Sequence, residues 1–162
     1  MPDKDKNDHA LREHVLYLLG EGGAHLSFDD AIKGFPADKR GVTPEGLDHS
    51  VWDLVEHIRL AQWDILEFSR NRKHQSPKWP EGYWPAKQNP SAGEWNASVK
   101  KVRADVSKMQ GLVKNPKTDL FAKIPWGDGQ TILREALLVA DHNAYHVAQI
   151  VDVRKLLGVW NK

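Results

Sequence analysis

The sequence predicts an all-α protein, a four-helix bundle with long loops between helices 1 and 2, 2 and 3, and 3 and 4, in a single domain covering 1–162. Three observations carry that expectation. Four segments repeat apolar residues at the helical period, no segment alternates convincingly with the period of a strand, and 162 residues fit one domain of ordinary size.

The first helix is expected over 9–20, with Asp8 as N-cap and Leu11, Val15, Leu18 and Leu19 along one side. Gly20, Gly22 and Gly23 would stop it. GGAHLSFDDAIKGFP then reads as a turn and a short helix, with Ser27 as its cap, Asp30 at the reciprocal capping-box position, and Gly34 and Pro36 as terminators. Residues 38–46 are polar with Gly and Pro and read as loop.

The second long helix is expected over 51–71, with Ser50 as N-cap and Asp53 at the third helical position. Stepping about 100° per residue puts Leu54, Ile58, Ala61, Ile65 and Phe68 on one stripe. His57 falls at the margin of that stripe, and Asp53 and Asp64 lie within about 40° of it. Residues 73–90 contain four prolines, which exclude a continuous helix or a central strand. A loop of this length often forms the rim of a functional site. The third helix starts at Ser91, with Glu94 completing a capping box, and continues through Trp95, Val99, Val102, Val106 and Met109 to about Val113. The fourth is expected over 131–157, apolar around most of its circumference, with Gly158 just past its end.

Composition narrows the chemistry. Lys and Arg number 23 against 22 Asp and Glu, a net charge of +1, so net charge offers no case for a nucleic-acid or acidic-lipid partner. The longest apolar runs fall far short of the roughly 20 residues of a membrane helix. The stretch MPDKDKNDH lacks the apolar core of a secretory signal, and the absence of cysteine suits the cytoplasm. Zero cysteines also exclude disulfides, thiolate metal ligands and a cysteine nucleophile, so a metal here would rely on nitrogen and oxygen donors. Eight histidines are available.

His142 and His146 stand four apart on the fourth helix, one turn above each other on one face, a spacing by which two imidazoles grip one ion. Chance alone supplies about 0.4 such pairs at this histidine content, so placement matters more than spacing. Both fall within the apolar face carrying Val139, Ile150, Val153 and Leu157, where an unpartnered imidazole costs a few kcal/mol. Two readings follow: a shared metal ion, or hydrogen bonds to neighbours along a groove. His57 is the natural third member.

Together, GGAHLSFDDAI, SVWDLVEHIRLAQWDILEF, EGYWP and DHNAYHVAQIVDVRKLLGVW make the chain resemble the DinB-like family of four-helix metal proteins. That superfamily includes transferases and isomerases dependent on low-molecular-weight thiols. The resemblance covers nearly the whole chain and implies that His57, His142 and His146 are metal ligands. Three imidazoles on two helices would leave coordination positions open, as catalytic sites do. Zinc and nickel suit imidazole best, and iron is compatible with it.

Around the triad, Asp53 and Asp64 are candidates to orient His57, while Glu135 and Gln149 lie within about 20° of His142 on the helical wheel. Glu135 is the candidate general base, and each of these groups also reads as an ordinary solvated polar residue. For His25 the simplest role is positioning the turn before Ser27, and its chemistry stays open. Tyr83, Trp84 and Trp126 either wall a substrate pocket or pack over the bundle ends. His9, His14, His49 and His74 have no assigned role.

The functional expectation is a divalent-metal-dependent hydrolase or thiol transferase acting on an unidentified small molecule, with any thiol supplied from outside the chain. The alternative is a non-catalytic metal or small-ligand binding protein of a stress-related kind. A third reading is a helical interaction module, in which Trp52 and Trp63, facing away from His57, would serve a homodimer interface.

Overall fold

The computed structural model describes residues 4–21 and 23–160, so the first three residues of the charged amino-terminal stretch and Gly22 of the expected helix stop lie outside the described residues. Five helices follow in order: α1 (Lys4–Glu21), α2 (Phe28–Ile32), α3 (Val51–Arg70), α4 (Ala92–Lys114) and α5 (Ile132–Leu156). The four long ones form the bundle, and α2 is the short helix expected after the first turn. Among the described residues the only β pairing is an isolated antiparallel bridge between Lys123 and Thr131.

The caps account for most of the boundaries. Ser50 accepts from the Asp53 N–H while Asp53 takes the Ser50 N–H at 2.8 Å, a complete capping box at the start of α3. Ser91 and Glu94 repeat the device on α4. Thr131 caps α5 through the Arg134 N–H. Gly158 follows α5 with φ of 69°, a left-handed position that favours glycine.

Two local expectations need correction. Helix α1 spans Lys4–Glu21 rather than starting at His9, and Asp8 lies inside it. The Asp8 carboxylate accepts from Arg12 Nε at 2.7 Å across one turn, a pairing that supports the helix instead of capping it. Gly20 stays helical, and its missing side chain serves packing: a Cβ there would stand 2.8 Å from Gln110 Nε2 of α4. At α2, Ser27 caps as expected, but Asp30 accepts the Ser27 hydroxyl rather than its backbone N–H.

Helix α3 packs against both α4 and α5 at the centre of the bundle. One core layer joins Val51, Leu54, Val55 and Ile58 of α3 to Trp95, Val99 and Val102 of α4 and to Val147, Ile150 and Val153 of α5. A second joins Val15 and Leu19 of α1 to Leu66, Met109, Val113, Ala136 and Val139. Trp52 belongs to the first layer at 5% exposure, tilted against Trp95, and is therefore unavailable to a partner surface. Trp126 donates to the Phe68 carbonyl at 2.7 Å and closes one end with Leu120, Ile124 and Ile132, the packing role foreseen for it.

Two arginines secure helix ends. Arg12 gives hydrogen bonds to the carbonyls of Val113, Asn115 and Thr118, tying α1 to the carboxyl end of α4. Buried Arg154 donates to the carbonyls of Ala31, Lys33 and Val159, which fastens α2 onto α5. Cationic groups at these carbonyl-rich ends also complement the helix dipole. Among the described residues, no helix is long and apolar enough to cross a membrane.

Candidate metal centre

Helices α3 and α5 meet with His57, His142 and His146 turned toward one another. One potential ligand atom from each lies within 4.8 Å of the others. Ring centroids are separated by 4.9 Å for His57–His142, 4.6 Å for His57–His146 and 4.4 Å for His142–His146. His57 and His146 are 5% and 7% exposed, so this is a buried cluster with one open side.

Hydrogen bonds decide which nitrogens carry lone pairs. His57 Nδ1 donates to the Tyr83 carbonyl at 3.0 Å, which leaves Nε2 bare. His146 Nδ1 donates to Gln149 Oε1 at 2.6 Å, which likewise leaves its Nε2 bare. His142 Nε2 stands 3.1 Å from His57 Nε2, and its Nδ1 is buried without a partner. Two nitrogens bound to a common ion at about 2.0–2.1 Å stand roughly 2.9–3.4 Å apart, so the His57–His142 spacing fits shared coordination. The donor set and the orientations of its hydrogen bonds fit an imidazole-binding divalent ion.

Electrostatics act in the same direction. Burial, opposed by the Tyr83 hydrogen bond, lowers the pKa of His57. Burial, reinforced by the two neighbouring imidazoles, pushes His142 down to about 4. His146 is also pushed to about 4, chiefly by burial, against the raising effect of Gln149. At neutral pH all three rings are uncharged, the form that binds a metal.

The loop over 73–90 builds the wall behind His57. Trp84 stacks on His57 at 4.2 Å and on His49 at 4.1 Å, so its indole lies between two imidazoles. Tyr83 donates its hydroxyl to Asp64 at 2.6 Å, and His74 holds the other Asp64 oxygen at 2.6 Å. Tyr83 therefore touches the site twice, through its carbonyl to His57 and through its hydroxyl to Asp64. Burial and the Asp64 carboxylate raise its pKa to about 12, so it remains a hydrogen-bond donor.

The triad opens onto a cleft of about 530 Å³, whose walls include Ile65, Trp79, Tyr83, Leu138 and Tyr145, with Asp64 and Asp141 as its carboxylates. The sequence-based site residues sort clearly against this geometry. Gln149, aligned with His142 on the helical wheel, instead accepts from the His146 ring. Asp53 is committed to the start of α3, and Asp64 reaches His57 only by way of Tyr83. Glu135 is 2% exposed, accepts from Arg134 at 2.6 Å and is not among the cleft residues. Seven positions separate it from His142, about 10 Å along the helix. His25 Nδ1 donates to the neighbouring Leu26 carbonyl at 2.8 Å and is not among the cleft residues. His49, His74, Trp79 and the Tyr83 carbonyl had no sequence signal, because rings contributed from loops and a backbone oxygen leave no periodic pattern.

No curated protein and no solved structure matches the chain. The family model of the DinB superfamily matches residues 24–150, which carry α2 to α5 through His146, and the chain belongs to that superfamily.

Proposed function

We propose that His57, His142 and His146 bind one divalent metal ion and that the protein is a metal-dependent enzyme, a hydrolase or thiol transferase, acting on a small molecule in the adjoining cleft. The observation that carries this reading is the convergence of three neutral imidazoles at the base of an open cleft, two of them with their lone pairs aimed by Tyr83 and Gln149. Zinc and nickel are the favoured ions, on ligand chemistry. Bound there, the ion would supply Lewis acidity to a carbonyl or a thiol.

The chain's own groups have separate tasks in this reading. The Tyr83 carbonyl and Trp84 hold the His57 ring in place, and Gln149 fixes the tautomer of His146. Ile65, Leu138 and the aromatic walls exclude water from the apolar part of a substrate. Asp64 and Asp141 are the carboxylates of the cleft, and Tyr83 and His74 hold Asp64 in orientation. Glu135 has no part here, since Arg134 holds it outside the cleft. The absence of cysteine supports a cytoplasmic setting and requires any thiol to come from outside.

A second reading, non-catalytic metal or ligand binding, is favoured by the hydrogen bonds that already occupy both oxygens of Asp64. Two measurements on untagged protein separate these outcomes. Metal analysis should give one divalent ion per chain, lost in His57→Ala and in His142→Ala; full retention by either variant would sink the metal assignment. Metal-loaded protein should also turn over a member of an activated-ester and thiol-acceptor panel, with activity abolished in His146→Ala. Stoichiometric metal with activity that persists in that variant would assign the turnover to a contaminant and favour the binder.

A further inference from the structure

The triad explains why the cleft has a polar base but leaves its walls unexplained. Trp79 is 67% exposed and Tyr145 is 63% exposed, large aromatic surfaces among the cleft walls. Trp79 leans on Tyr83 with ring centroids 5.4 Å apart, and Tyr145 meets His146 edge-on at 5.0 Å. Both rings are supported from behind and remain open toward solvent. The charged residues among the cleft walls are Asp64 and Asp141, with no lysine or arginine among them. That is notable in a chain with 23 basic residues, two of which cover aromatic rings elsewhere: Arg40 lies over Trp95, and Arg154 over Phe35 and Trp160.

We propose that the cleft selects small molecules that carry a cationic ammonium group on a short apolar body, the opposite end bearing the atom that binds the metal. This rests on the metal reading above and names the substrate class of the same site. An ammonium near the faces of Trp79 and Tyr145 gains cation–π attraction, and Asp141 at the rim adds Coulomb attraction. A carboxylate or phosphate in the same position meets two carboxylates and has no basic side chain to receive it. The bound ion is the single positive centre of the cleft, so it engages the donor atom while the walls discriminate by charge at the far end.

Short thiols with a cationic, a neutral or an anionic far end test this, because each presents the same sulfur to the metal. Cobalt(II)-loaded protein is titrated with thiocholine, 2-mercaptoethanol and 3-mercaptopropionate, and binding is read from the sulfur-to-cobalt charge-transfer band. Affinities are compared per thiolate. Thiocholine should bind about tenfold more tightly than mercaptopropionate, with mercaptoethanol between them. Asp141→Asn and Trp79→Leu should each shrink that ratio by several-fold while cobalt uptake remains unchanged. Mercaptopropionate binding as tightly as thiocholine, or a ratio untouched in both variants, would overturn the charge preference alone. Cobalt uptake that survives His142→Ala would overturn the metal reading and this inference with it.

Discussion

Helix α3 carries two buried polar clusters that differ in how completely the chain satisfies them. At Glu56, the carboxylate receives Arg59 Nε at 2.7 Å and Arg59 Nη2 at 2.8 Å, and the Ser98 hydroxyl donates to it from α4. The charges cancel within the cluster, and the groups lock α3 to α4. One position along, on the side facing α5, His57 meets two further imidazoles with no acid between them. Burial is similar, 8% exposure for Glu56 against 5% for His57. The difference teaches that buried polarity by itself does not mark a functional site. A cluster closed within the chain contributes to structure, whereas three imidazoles with no counter-charge between them form a set that could hold a cation.

The largest expected effect breaks the comparison from the ligand's side. At metal concentrations about a thousandfold above Kd, wild-type protein should gain about 4 kcal/mol, near 10 °C in Tm for a chain of this size. His142→Ala should show none of that gain by calorimetry, while Glu56→Gln should retain it in full. Conversely, Glu56→Gln should cost about 1–3 kcal/mol in urea unfolding whether or not metal is present, because Arg59 loses its charged partner in a partly buried position. Gln149→Ala should do the reverse on a smaller scale. It should weaken metal binding about 10- to 100-fold in calorimetric titration and leave the stability of the metal-free protein within about 0.5 kcal/mol.

The smallest effect sharpens the comparison through pH. Burial raises the Glu56 pKa, but the hydrogen bonds from Arg59 and Ser98, with nearby positive charge, outweigh it and leave the net value below the ordinary 4.5. Its contribution to stability is therefore fully present above the unfolded value and is lost as pH falls through the lower folded value. The stability difference between wild type and Glu56→Gln should narrow as pH drops below about 4.5. A difference that stays constant through that window would show that the carboxylate's charge does not matter to the cluster.

The bundle was legible because helix signals are local. Ser50 with Asp53 and Ser91 with Glu94 each announce a helix start within four residues, and the apolar stripes of α3 and α4 repeat over several turns. Asp8 misled for an instructive reason. It has the chemistry of an N-cap, but Arg12 one turn later offers it a partner within a longer helix. The pair His142 and His146 was legible from spacing on one helix, while His57 stood out only as a third candidate at the margin of its stripe and was implied as a ligand by the resemblance, since no wheel shows which faces of two helices meet. Glu135 shows the wheel's other weakness: angular alignment with His142 ignores both the axial distance and the adjacent Arg134. The support for His57 lay beyond sequence reading because its acceptor is a backbone carbonyl, delivered by a loop that Asp64, His74 and the Tyr83 hydroxyl hold in place.

The central claim is that His57, His142 and His146 together coordinate one ion, and X-ray absorption at the metal edge of zinc-loaded protein tests it most directly. The account predicts three imidazole nitrogens at about 2.0–2.1 Å with the outer-shell scattering of intact rings, dropping to two in His146→Ala. A first shell of oxygen alone, or a spectrum identical in wild type and His146→Ala, would contradict it.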